Sequence, residues 1–302
     1  GLRKGDRLEL SPLTPDIAAV DSRTEFPFDV LFWRLLPGHM LKHRCPLFSA
    51  RTHFYPMSLC VDEMHTMHTG VFQIWVAYAL WAVVQGDVWG LGHGLPLSAA
   101  HENSAGMVKT ELFHWYKARK AEDQTRPIYE LPHFDLKTLG TRDSPALVGP
   151  KAAETGTLVW FTRDLLRAHR DKVERGAALL ACGDALVQYL KVTRKAQPRM
   201  RPAELQSLMD CVLRFLNVRE DAGLPWVPKM HLMLHLAHQA GRFGNPLYTG
   251  TWIDEGLNRK LAQVCGAAHV LVFEKRVLAT FNSEHGPTAR AVERKRGFPD
   301  GK

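Results

Sequence analysis

Acids and histidines open one of the most apolar stretches of this chain: "VDEMHTMHTG", residues 61–70, runs straight into "VFQIWVAYALWAVV". On a helix, residues three apart lie on neighbouring turns of one face, so Asp62 and His65 could share a metal, or Asp62 could orient His65 through its ring N–H. Asp is also a preferred N-cap, and capping by itself would account for an acid at this place. A second group, "PKMHLMLHLAHQ", sets His231, His235 and His238 at i, i+4 and i+7 along one helical face. The first pair has the spacing of zinc-binding helices, but no HExxH glutamate stands between them. Met230, Leu232, Met233, Leu234 and Leu236 surround them, so they are expected to be core histidines hydrogen-bonded to backbone or carboxylate. In a third group, "TWIDEGLNRKL", Asp254 and Glu255 open an amphipathic helix, where acids favour the helix dipole.

Helices must position all three groups. Residues 1–56 are rich in proline and turn residues, with one apolar island, "FPFDVLFWRLLPG". The block 57–150 carries the core helix with the D-x-x-H group, then a long Gly- and Pro-punctuated connection around the helical piece "HENSAGMVKTELFHWYKARKAE". From 151 to 228 apolar residues recur at three- and four-residue spacing, as in Leu158, Phe161, Leu165 and Leu166, which predicts a helical insertion. Pro202 suits the first turn of a new helix there. Residues 229–285 carry the His-rich helix and the Glu-bearing C-terminal helices, and 286–302 are a charged tail.

Composition bounds the chemistry. A chain of 302 residues with 45% hydrophobic residues has ample material for a core. Its 39 Lys+Arg against 31 Asp+Glu leave a formal charge of +8, an excess that suits a polyanionic partner. The basic segment "RKAQPRMR" supplies Arg194, Lys195, Arg199 and Arg201 as candidate phosphate contacts. The five cysteines are odd in number, scattered and without CxxC spacing, which encodes neither a disulfide framework nor a zinc ribbon. A reducing compartment, nuclear or cytoplasmic, is the expectation. The run Val71 to Val84 falls short of a membrane span and reads as a core helix, so no membrane is expected.

The order of the three groups carries more than each alone. "VDEMHTMHTGVFQ", then a helical stretch, then "KMHLMLHLAHQAGRFGNPLYTGTWIDEGLNRKL" resembles the C-terminal half of the transposase domain of CACTA-type (En/Spm-like) and related cut-and-paste elements. The family's D-x-M-H block with its following glycine falls on Asp62, Met64, His65 and Gly70. Its K-x-H-x-L-x-H-like block falls on Lys229, His231 and His235, and its Glu three residues before Asn on Glu255 and Asn258. The resemblance spans roughly 57–265. It implies a mainly α chain that is a fragment of an RNase H-like core interrupted by a helical insertion, with few strands. It also implies carboxylates holding Mg²⁺ or Mn²⁺ for phosphodiester cleavage and strand transfer. Glu255 matches the final catalytic acid, Asp62 and His65 match an element that ligates or braces, and His231, His235 and Asn258 match supporting positions. DNA and further copies of the chain are the implied partners.

One departure stands out. The family's early catalytic aspartates lie on strands upstream of the D-x-x-H block, where Asp29 is the sole acid embedded in an apolar run. Together with a first residue that is not Met, this leads to the expectation of a truncated transposase, inactive alone. Two alternatives come from the same residues: a helical metalloprotein built on Asp62, His65, His231, His235 and Glu255, and a non-catalytic DNA-binding or interaction protein.

Overall fold

The central element is Phe72–Gln85 (α1), "FQIWVAYALWAVVQ", whose apolar side chains leave no polar face. Such a helix needs neighbours on every side. Leu97–Glu122 (α2), Ala152–His169 (α3) and Gly176–Lys195 (α4) provide them, burying Phe72, Trp75, Val76, Leu80 and Val83 completely. The buried indoles find acceptors: Trp75 Nε1 donates to the Leu179 carbonyl at 3.0 Å and Trp81 Nε1 to that of Leu139 at 2.8 Å.

In the computed structural model residues 60–122 and 127–252 are described, with Glu255, Gln263 and Ala279 beyond them. The chain divides into two units, Gly1–Thr249 and Gly250–Lys302. The described residues are mainly helical, as expected, and contain no strand; an isolated antiparallel bridge joins Gly140 and Pro145. Asp29, Cys45, Asp254, Asn258 and Cys265 lie outside them.

After α4 the first unit continues through Pro202–Val218 (α5) and Pro228–Phe243 (α6). α5 packs on α4, and α6 packs on α5 and on the start of the core helix. Proline occupies the first turn of both, Pro202 as expected and Pro228 likewise. At α5 the Arg201 N–H donates to Glu204 Oε2 at 2.8 Å, and at α3 the Lys151 N–H donates to Glu154 Oε2 at 2.8 Å. Both contacts satisfy N–H groups that a helix start leaves open. The expected connection between α1 and α3 holds a 26-residue helix, α2, which begins four residues before the stretch read as helical, at Leu97.

A π-helical segment, Met64–Val71, precedes α1 and is kinked at Thr69, whose backbone leaves helical geometry (φ −94°, ψ 19°). The two together form a 22-residue helix, Met64–Gln85, long and apolar enough by composition to cross a membrane, yet 72% of its most apolar window is buried by the fold. That burial makes it the core helix. Cys182 and Cys211 are buried free thiols, pushed up to about 12 and about 11 by burial, whereas Cys60 is exposed.

Candidate functional site

Both roles weighed for Asp62 occur together. Its Oδ1 accepts the Met64 N–H at 3.0 Å and its Oδ2 accepts the His65 N–H at 3.3 Å, which is helix capping. The same Oδ2 meets His65 Nδ1. With Nδ1 the donor, Nε2 carries the ring's lone pair, and the His65 side chain is 51% exposed against 23% for Asp62. Asp62 thus braces His65 and the helix start at once.

Other residues of this block point inward instead, Thr66 among them. Glu63, Met64, Met67 and His68 are buried. His68 Nδ1 donates to the Ala152 carbonyl at 2.8 Å, and its Nε2 lies 3.5 Å from Glu63 Oε1. Glu63 and His68 are five apart, a spacing that does not share a face on an α-helix. In the π-helical segment, whose hydrogen bonds run i to i+5, the two come together. Gly156 in α3 makes room for the ring, since a Cβ there would stand 2.6 Å from His68 Cε1. In the sequence His68 stands three residues from His65 and six from Asp62, but its pairing with Glu63 does not follow from a spacing of 3.6 residues per turn. The signal that could have found it is the i, i+5 pairing of acid and histidine.

α6 docks against this block. Lys229 Nζ donates to the Thr69 carbonyl at 2.6 Å, across 160 positions of sequence, and the Val61 N–H donates to Gln239 Oε1 at 2.9 Å. The lysine stem crosses Gly70 so closely that a Cβ there would stand 2.4 Å from Lys229 Cδ. Burial lowers the Lys229 pKa, and the nearby Asp62 charge opposes that shift. A groove of about 430 Å³ runs beside the contact, between Thr69, Gly70 and Ile74 on one side and Leu147, Val227 and Lys229 on the other. The D-x-x-H and K-x-H blocks, distant in sequence, therefore meet.

The histidines of α6 are not core residues, which corrects the expectation drawn from their apolar neighbours. Met230, Met233, Leu236, Ala237 and Ala240 form the buried face, while His231 and His238 are exposed and His235 is half-buried. His231 Nε2 and His235 Nε2 lie 2.8 Å apart, with the rings edge to face at 77° and 4.5 Å between centroids. Desolvation, with the neighbouring His231 and His238, pushes His235 down to about 4; desolvation lowers His238 as well. Pattern matching missed this orientation because Leu232 and Leu234, which made the helix look apolar all round, are half-buried at its margins.

Glu255 belongs to the second unit, is exposed, and donates its backbone N–H to the Thr251 carbonyl at 2.9 Å, as at a helix start. Arg194, Lys195, Arg199 and Arg201 are all exposed. Arg201 is engaged by Glu204, with Nη2 at 2.7 Å from Oε1. Arg194 lies over the Trp160 ring at 5.9 Å, alongside Lys191 at 5.8 Å and Arg163 at 5.9 Å. That basic and aromatic cluster, with Arg119 over Trp115 at 5.3 Å, was not read from sequence because its members come from three helices.

Among the described residues no three of His, Cys, Asp and Glu converge as a metal-binding group. The chain matches no family model, no curated protein and no solved structure.

Proposed function

We propose that this chain is a transposase-derived protein, built on a helix-interrupted RNase H-like core, whose chemistry is metal-dependent phosphodiester cleavage and strand transfer on DNA. The observation that supports it most is the docking of α6 on the start of the core helix. The two blocks that the family resemblance pairs are in direct contact, through Lys229 to Thr69 and Gln239 to Val61.

The resemblance assigns a metal-holding role to Asp62 in the first unit and to Glu255 in the second, and a bound Mg²⁺ or Mn²⁺ would supply a hard Lewis acid for the displaced phosphate oxygens. Asp62 fits that use in part. Its Oδ1 accepts the Met64 N–H and its Oδ2 accepts the His65 N–H and meets His65 Nδ1, which orients the carboxylate, and a cation would have to share or displace these contacts. Its contact with His65 adds rigidity, and Lys229 sets the local positive charge. Asn258, His231 and His235 are supporting residues in this reading. The exposed Arg194, Lys195 and Arg199, with the cations around Trp160, offer phosphate contacts without base readout.

Calorimetric titration of Mn²⁺ into the wild-type chain, Glu255→Gln and Asp62→Asn tests it. Both variants are expected to keep the fold and weaken Mn²⁺ binding, because a neutral amide lacks the charge that holds a hard cation. Unchanged affinity in Glu255→Gln would sink the ligand assignment and leave that acid with the dipole role. Duplex DNA affinity is expected to fall steeply between about 50 and 200 mM salt, as counterion release requires.

A further inference from the structure

The outer face of α6 presents a second, chemically different pair of donors. His231 Nε2 and His235 Nε2 are 2.8 Å apart on a helix whose opposite face is anchored by Met230, Met233 and Leu236. Imidazole nitrogens bind zinc-like metals at roughly 2.0–2.1 Å. Two such nitrogens at a right angle about one ion stand about 2.9 Å apart, and at the tetrahedral angle about 3.3 Å. The two nitrogens are hydrogen-bonded to each other at 2.8 Å, and an ion that replaced the shared proton at this spacing would meet them near the right angle.

The geometry points to a bidentate transition-metal site at His231 and His235, selective for an ion that takes nitrogen ligands in square or tetragonal array, Cu²⁺ first and Ni²⁺ next. Zn²⁺ prefers the wider tetrahedral angle and binds more weakly here, and hard Mg²⁺ or Mn²⁺ is disfavoured by nitrogen donors. Both rings stand on one rigid helix, so little ordering is needed to bring the nitrogens together. Lys229, two residues before His231, is turned away to the Thr69 carbonyl, which keeps its positive charge off the pair. Among the described residues no third His, Cys, Asp or Glu joins the pair.

This site does not depend on the nuclease reading. The test is Cu²⁺ titration of the full untagged chain at pH 7.5, followed by calorimetry and electron paramagnetic resonance. The variants are His231→Ala, His235→Ala, the double variant and His65→Ala. The wild type is expected to show one site with hyperfine coupling to two equatorial nitrogens. Each single α6 variant is expected to lose at least about tenfold in affinity, the cost of one ligand at about 1.4 kcal/mol per factor of ten. His65→Ala should retain the site. Because the buried face of α6 is carried by Met230, Met233 and Leu236, circular dichroism should be unchanged, and His231→Gln, at the exposed position of the pair, repeats the test with a bulkier side chain. Equal Cu²⁺ affinity in the double variant, or a one-nitrogen signal in the wild type, would overturn the assignment. Glu255→Gln should leave Cu²⁺ binding untouched whatever it does to Mn²⁺, which separates this site from the proposed nuclease metals.

Discussion

At the head of the core helix, His68 is 5% exposed, with one ring nitrogen on the Ala152 carbonyl and the other facing Glu63. On α6, which packs against that same segment, His231 and His235 turn their Nε2 atoms toward each other at the protein surface. The side chains are identical and so, in sequence, are the apolar surroundings. The difference teaches that a histidine's role follows from what covers it. Where a third helix, α3, closes over the ring, both nitrogens are committed to the fold. On α6, where His231 is exposed and His235 half-buried, the two rings are each other's partners across their Nε2 atoms.

Replacing each histidine is the most direct way to break that comparison. His68→Ala removes the group facing buried Glu63 and one donor to the Ala152 carbonyl, so a loss of about 3 kcal/mol is expected. Denaturant unfolding measures it. A loss under about 1 kcal/mol would mean that Glu63 and Ala152 are satisfied without the ring. Gly156→Val approaches the same pocket from α3. Its Cβ would overlap the imidazole, and an overpacked core costs about 1–3 kcal/mol, against a helix-propensity gain of about 0.4 kcal/mol. The expected net destabilisation is about 2 kcal/mol, with the His68 ring displaced in the variant's chemical shifts.

His235→Ala should be the mildest at neutral pH, within about 0.5 kcal/mol of wild type, as for surface positions generally. Its effect lies in the pH profile. The folded-state pKa is about 4 against 6.5 ordinarily, so between those values the unfolded chain binds a proton that the fold excludes. This contribution is complete above pH 6.5 and is lost as pH falls toward 4. Thermal melts across that window should slope less steeply in His235→Ala, with the residual slope coming in part from His238. An identical slope in both proteins would show that His235 takes up its proton as readily as a free imidazole.

Several features were legible in the chain order alone. The apolar run at 71–84 predicted a core helix, Pro202 marked a helix start, and Asp62 three residues before His65 offered a cap or a pair as alternatives; the helices are present, and Asp62 makes both contacts. These are local properties, set by residue type and spacing within one or two turns. Tertiary structure decided the rest. The π-helical segment that joins Glu63 to His68 changes the residue spacing itself, and no pattern counted at 3.6 residues per turn contains it. Which side of α6 faces inward depends on where α5 and the core helix lie, so apolar neighbours in sequence misplaced His231 and His235 in the core. The meeting of Lys229 with Thr69 and of Gln239 with Val61 spans well over a hundred residues. Sequence determined which helices form, because helix formation answers to neighbours along the chain. Packing determined which side chains meet, because burial answers to neighbours in space.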